Sequence, residues 1–461
     1  MRRFLWIAAA VCTVSAAIRG AQPAAAEDGR LVVHEWGTFT NFSGSDGVKL
    51  DFRPLVDNDL PDFVLDRAWQ AGILQPFSKL TIVGRQRMET PVTYFYTDQV
   101  RDVNVRVGFP KGLLTEFYPP VQKMLPAFTV QQFRKPAPLG DSVLDWGKVT
   151  LIPESQFQTN IPAGKIADRV NAEVLNRLIP RVGRKPHYGY ARETDSAIVH
   201  VQNEPDPKRP RMPSGNFFEK FLFYRGVGNF QLPLHLQSPG EGQFMLTNKG
   251  QDPVRSLFLV TVRNGVLQFQ EYDGIQAGET LQLTQSPQEA KFDELCARVV
   301  KALVAEGLYE KEALAMVKTW RDSWFNEEGT RLFYMVPSRI TDELLPLKVE
   351  PQPDELVRVL VGRMEIMSPD DENRIQQLVK KSVGLRQQYY AKAAELRKQK
   401  KPVPAFKIPQ ELIEMGRLAE PALLRVIGIS DDINVRREGR LLLKQWHQQL
   451  GVPEVAVSQN N

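Results

Sequence analysis

Cysteine is nearly absent: 461 residues hold two, Cys12 and Cys296. Cys12 lies in an N-terminal apolar run that reads as a removable leader. The remaining chain therefore has no intrachain disulfide and no cysteine pair for zinc. Its fold must rest on core burial, which a chain of this length can supply. Histidine is scarce as well. The five are His34, His187, His200, His235 and His447, and none has H-x-x-x-H or H-E-x-x-H spacing. No G-x-S-x-G, P-loop or G-x-G-x-x-G occurs, so neither a nucleophile elbow nor a phosphate cradle is written in the chain. Charge of one sign is also lacking. Fifty-nine basic and fifty-four acidic residues give +5, and Arg2, Arg3 and Arg19 belong to the leader, which leaves +2. No specific nucleic-acid binding is expected from that balance.

What is present begins with the leader. Residues 1–26 read as a secretory signal: Arg2-Arg3, the apolar stretch Phe4–Ile18, then Ala24-Ala25-Ala26 before Glu27. The apolar stretch is short and Ala-rich for a membrane span. The protein is expected to be exported, periplasmic or extracellular, with retention as an anchor the alternative.

Residues 27–285 read as a β-rich domain. Leu31–Thr40 places Val32, His34, Trp36 and Thr38 on one face and Leu31, Val33, Glu35 and Phe39 on the other. Both faces are expected to be covered, so His34 and Glu35 each need a partner. In Met88–Thr97, Pro91 points to an edge or a bulge. Asp102–Phe109 alternates cleanly, and Lys111-Gly112 leads into Leu113–Tyr118, which reads as a hairpin. A strand is expected at Lys148–Ile152 and a helix at 165–179. Phe217–Val227 is apolar on both faces and reads as one central strand. Glu219 and Arg225 are expected to pair across the sheet. Val254–Val262 and Val266–Tyr272 flank Asn264-Gly265, a type I′ turn signal. Residues 243–285 resemble a bacterial immunoglobulin-like β-sandwich.

Near 286 the period changes from two to about 3.6. Residues 286–398 read as a helical or mixed region. Ser286-Pro287-Gln288-Glu289 predicts a helix start, and Lys311–Phe325 a second helix with Trp320 and Trp324 inward. Asp354–Met367 fits strand or helix. Ser368-Pro369-Asp370-Asp371 opens a long helix. Between Arg374 and Lys401 stand nine basic residues and one acid, with an apolar stripe at Leu378, Ser382, Leu385, Tyr389 and Leu396. This helix is expected to pack by its stripe and leave a solvated basic face. The second reading is an arm, 374–401, for an anionic surface. Residues 407–450 resemble a single HEAT-type helical hairpin, with helices from Pro421 and Asn434. One repeat must dock on the rest of the chain or on a protein partner.

The candidates for chemistry are few. Glu35, Glu89, Glu116 and Glu219 are possible catalytic carboxylates, and His34, His187 and His200 possible ligands of a divalent metal. Each has an architectural reading: a satisfied hydrogen bond or an ion pair in a sheet. No cofactor is expected. V-V-H-E-W-G-T-F-T at 32–40, R-M-E-T-P-V at 87–92, F-L-F-Y-R-G-V-G at 221–228 and W-R-D-S-W-F at 320–325 resemble a family of uncharacterised exported bacterial proteins. That resemblance spans most of the chain and implies no activity. The fold expected is α+β, a sandwich-like β-rich N-terminal body with a mainly helical C-terminal part. The function expected is non-catalytic binding or structure in the cell envelope. The alternative is a secreted metal- or carboxylate-dependent hydrolase of polysaccharide or peptide.

Overall fold

The run Val32–Ser43 forms a strand whose twelve residues are all buried. Burial on both faces requires layers above and below, and neighbours on both edges. The structure, a computed structural model of the chain, describes residues 29–55, 59–67, 79–126, 139–157, 178–183, 186–207 and 211–452. The leader at 1–26, and all but the last two residues of the helix expected at 165–179, lie outside the described residues.

In chain order the strands are β1 (Val32–Ser43), β2 (Leu65–Asp66), β3 (Gln86–Tyr96), β4 (Arg101–Phe109), β5 (Gly112–Tyr118), β6 (Lys123–Leu125), β7 (Ser142–Ile152), β8 (Ile198–Asn203), β9 (Gly215–Glu219), β10 (Leu222–Gly228), β11 (Leu234–Gly240), β12 (Gln243–Asn248), β13 (Val254–Arg263), β14 (Val266–Ile275), β15 (Thr280–Thr284), β16 (Gly329–Val336), β17 (Leu347–Glu350) and β18 (Glu355–Ile366). The longer helices are α1 (Phe292–Ala305), α2 (Glu310–Phe325), α3 (Pro369–Lys398), α4 (Ala419–Ile429) and α5 (Ile433–Leu450).

A nine-stranded sheet runs β14-β13-β16-β18-β1-β3-β10-β5-β2. Its centre pairs β1 parallel to β18 and antiparallel to β3. One face packs on a six-stranded sheet, β17-β4-β7-β8-β9 with β6 beside β7, and on a three-stranded sheet, β11-β12-β15. The other face is covered by α1 and α2, with Trp36, Phe223, Phe333, Met316 and Trp324 in that core. Helices α3, α4 and α5 share a separate core that includes Ile375, Val379, Leu423, Val426, Leu442 and Trp446. The architecture is thus α+β: a β-rich, sandwich-like body and a helical C-terminal part.

Several expectations change at this level. The nine-stranded sheet crosses residue 285, because β16 and β18 sit between β13 and β1. The hairpin expected at Asp102–Tyr118 does not form. β4 pairs with β7 and β17, while β5 pairs with β10 and β2, so the turn at Lys111 carries the chain from one sheet to another. Phe217–Val227 is likewise two strands. β9 belongs to the six-stranded sheet and β10 to the nine-stranded one. Apolar residues on both faces signalled burial correctly, but that signal is blind to a strand changing sheets. Ser286 does not cap α1. Its hydroxyl accepts from the Gln288 N–H, and the helix starts at Phe292.

Other readings hold. Pro91 makes a bulge: the β1–β3 register slips between Trp36 and Thr38, and Thr90 has φ 41. The Asn264-Gly265 turn has φ of 52 and 75 and joins β13 to β14. Ser368 caps α3 in a capping box with Asp371. Trp320 and Trp324 stack in the core with centroids 6.5 Å apart.

Candidate functional site

β1 sends His34 and Glu35 to opposite faces, and each side chain meets partners from distant segments. Arg358 of β18 donates to Glu35 Oε2 from Nε at 2.8 Å and from Nη2 at 2.6 Å. Tyr224 and Thr93 donate to Glu35 Oε1 at 2.5 and 3.0 Å. Burial, then the adjacent Glu35 charge, pushes the Tyr224 hydroxyl far above its ordinary range, so it stays a donor. Arg358 also reaches Asp342 at 2.8 Å. Glu35 is fully occupied as an acceptor and faces no open space.

His34 Nδ1 lies 2.7 Å from Glu312 of α2, which also accepts from Tyr96 OH at 2.8 Å and from the Tyr309 N–H at 2.8 Å. The Tyr309 ring covers the imidazole with centroids 4.4 Å apart. This cluster ties α2 to the sheet. Its Nε2 is buried without a hydrogen-bond partner among the described residues.

Glu89 and Glu116 belong to a charged belt across the helix-side face of the sheet, beyond the end of the apolar core. Arg87 contacts Asp59 at 3.1 Å and Glu89 at 3.0 Å. Arg225 contacts Asp59 at 2.6 Å and its cross-strand neighbour Glu116 at 3.5 Å. Arg331 meets Glu365 at 3.1 Å, and Arg363 meets Glu365 and, at 2.9 Å, Glu327. Arg417, from the C-terminal part, reaches Glu327 at 2.5 Å and Glu365 at 3.5 Å. Burial opposes ionisation of Asp59 and Glu365, yet the arginines win and hold both at about 2. Glu89 is shifted down for the same reason, by Arg87, Arg417 and Arg363 against burial. Among the described residues, the belt counts five guanidiniums and five carboxylates. Carboxyls held this low are poor general acids near neutrality.

Glu219 stands elsewhere. It is fully buried and takes both arms of Arg192, at 2.9 and 2.7 Å. Its partner comes from the turn after the short helix Pro186–Tyr190 rather than from across the sheet; only Arg225 pairs across strands, as expected. Burial outweighs Arg192 and raises the Glu219 carboxyl above its ordinary value.

The three candidate metal histidines are dispersed. His34 is on β1. His187 is on the short helix, where its carbonyl accepts from Thr319. His200 is on β8, stacked on Phe218 and 2.9 Å from Asn216. Among the described residues, no three His, Cys, Asp or Glu side chains gather as a metal-binding group. The Cys296 thiol is pushed up to about 11 by burial, which leaves it unreactive as a thiolate.

Two features have no signal in the sequence. The first is Lys49. Its ammonium group lies 2.7 Å from Asn41 Oδ1 and 2.9 Å from Ser43 Oγ, and burial lowers it to about 7. An amine of that basicity beside a serine is the arrangement of a nucleophile with its base. Ser43 is only 1% exposed, so a substrate carbonyl has no approach to its hydroxyl. The second is a cleft of about 920 Å³ between the sheet and the C-terminal helices. Its floor includes Phe42, Met367, Ile375 and Leu418. Its three cations each have a carboxylate: Arg263 at 2.7 Å and Arg374 at 3.8 Å share Asp371, and Arg417 sits within the belt. Glu328, Asp370, Glu411 and Glu414 also line it, and none has a cation in ion-pair range among the described residues. Acids at a rim and short polar loops carry no sequence period, which is why neither feature announced itself.

No family model matches the chain, and no curated protein matches it. Solved structures give distant likenesses. The Fcho1 mu-homology domain of Danio rerio with bound Eps15 peptide is 7% identical over 74% of this chain and 99% of that one, with a TM-score of 0.26. The yeast delta-COP-I mu-homology domain complexed with a Dsl1 WxWxV peptide is 8% identical over 73% and 96%, with a TM-score of 0.23. Likeness at that level leaves the function to be argued from this chain's own geometry.

Proposed function

We propose that this is an exported, non-catalytic binding protein whose working surface is the cleft between the sheet and the C-terminal helices. The occupant we assign is a protein segment bearing lysine or arginine among apolar side chains. The observation that carries this reading is the imbalance in the cleft. Arg263 and Arg417 are neutralised by built-in partners and Arg374 shares Asp371 at 3.8 Å, while four acids, Glu328, Asp370, Glu411 and Glu414, line an apolar floor with no ion pair among the described residues. The four carboxylates that a hydrolase would use weigh the same way. Each is occupied by arginine in the interior: Glu35 by Arg358, Glu89 by Arg87, Glu116 by Arg225 and Glu219 by Arg192.

A fluorescent peptide alternating lysine and leucine tests this, with a glutamate–leucine peptide as control. The lysine peptide is expected to raise anisotropy on adding protein, less so at high salt. Glu411→Lys with Glu414→Lys is expected to weaken that binding on the order of tenfold or more, since both acids are exposed and the change reverses two charges. Equal binding of the two peptides, or an unchanged affinity in the double variant, rejects the cleft as the site.

A further inference from the structure

Helix α3 buries a side of itself that its apolar pattern does not advertise. The residues it turns inward include Ile375, Val379, Ser382, Arg386 and Ala393. Arg386 belongs to the basic run, yet it is buried, paired with Glu438 at 2.5 Å and set 3.9 Å over the Phe406 ring. Leu378, Leu385, Tyr389 and Leu396 follow one another at spacings of seven, four and seven. They form a second line rotated roughly 70° from the buried one. Leu385 is 43% exposed, and the other three are half-buried. The stripe expected to pack the helix is therefore split: Ser382 goes in, Leu378 packs at the edge of the same core, and Leu385 is left exposed on the flank.

Lys381 and Lys392 lie just outward of this flank, both exposed and without a carboxylate partner among the described residues. Lys398, Lys400 and Lys401 follow at the helix end, also exposed. The charge is regional. Residues 369–452 hold sixteen basic and ten acidic residues, whereas 27–368 hold forty basic and forty-three acidic. The outer end of α3 is not loose, because Phe406 of the following segment packs on Tyr389 with centroids 5.5 Å apart. A fixed helix therefore presents Leu385, between half-buried apolar neighbours, edged by lysine.

We propose that this flank of α3, centred on Lys381, Leu385 and Lys392, lies on the anionic surface of a phospholipid bilayer. Leucine can enter the headgroup boundary while lysine stems reach back to lipid phosphates. A soluble polyanion requires the charge but makes no use of Leu385. No helix among the described residues is long and apolar enough to cross a membrane, and the arrangement requires only contact with its surface.

The test is sedimentation of the chain from Glu27 onward with phosphatidylcholine vesicles, with and without phosphatidylglycerol. Binding is expected only with phosphatidylglycerol and is expected to fall as salt rises. Lys381→Gln with Lys392→Gln is expected to weaken it about twenty-five-fold, each lysine near such a surface being worth about fivefold. Lys381→Arg with Lys392→Arg keeps the charge and is expected to bind like the parent. Leu385→Ser is expected to reduce binding with no change in thermal unfolding. Equal sedimentation with phosphatidylcholine alone overturns the proposal, as does a glutamine variant that binds like the parent. So does tight binding of soluble polyphosphate with Leu385→Ser without effect, which marks a polyanion site instead. The cleft variants Glu411→Lys and Glu414→Lys leave Lys381, Leu385 and Lys392 in place, so the two proposals fail separately.

Discussion

Asp59 and Glu365 are held at about 2 by arginines, against ordinary values of 3.8 and 4.5, while burial holds Lys49 at about 7 against 10.5. As pH falls below the ordinary carboxyl values, the unfolded chain takes up protons that the folded chain still refuses. The belt's contribution is therefore complete above about 4.5 and is lost as pH approaches 2. Lys49 works in a different window. Between about 7 and 10.5 the unfolded chain holds a proton that the folded chain has released, so its share of stability rises with pH there. Urea unfolding across pH is expected to show both rises, and Lys49→Met is expected to remove the alkaline one while leaving the acid one. A profile flat between 7 and 10 in the parent counts against a neutral, half-buried Lys49. At this scale the sequence shows need but not supply. His34 and Glu35 were legible as buried polar groups requiring partners. Those partners, Glu312 and Arg358, stand 278 and 323 residues away, beyond the reach of any local pattern.

Elements were legible where their signal is local. The Pro91 bulge, the Asn264-Gly265 turn and the Ser368 cap are each fixed by backbone chemistry within a few residues. The strand exchange at Lys111, the break after Glu219 and the turned face of α3 depend on which neighbour arrives. The bulge also explains a glycine. A Cβ on Gly37 would stand 3.0 Å from Pro91 Cα and 3.1 Å from Pro91 N, a backbone obstacle in a strand buried on both sides. Gly37→Ala is expected to destabilise by about 1–3 kcal/mol, the range for overpacking. Gly265→Ala is the contrast at this scale. There φ is 75 and nothing stands within 4 Å of the added atom, so any cost there is conformational rather than steric. Thermal unfolding of Gly37→Ala checks the steric account, and a transition at the parent's temperature argues that β3 yields freely at the bulge.

At the scale of the molecule, the order of strands decides what can be cut. Composition and period gave an α+β chain with a β-rich beginning and a helical end, and they gave no warning that two late strands enter the middle of the sheet. β18 lies between β16 and β1, and β16 lies against β13. A fragment of residues 27–285 therefore has β13 and β14 with no link to the rest of the sheet, and β1 becomes an edge. It also strips Glu35 of Arg358 and His34 of Glu312, leaving buried polar groups unpaired, each costing about 1–3 kcal/mol or more for a charge. An exposed, apolar β1 edge is a template for association. That fragment is expected to aggregate or to lack a cooperative urea transition by near-ultraviolet circular dichroism. A fragment of residues 27–367 keeps all nine strands with α1 and α2, and loses Arg417 from the belt and the contacts of Arg425 with Asp46 and Glu420 with Arg53. It is expected to unfold cooperatively at lower urea than the full chain. A monomeric, cooperatively folded 27–285 fragment would mean that β1 closes its own edge without β18, and the β-rich body would then be independent of everything after it.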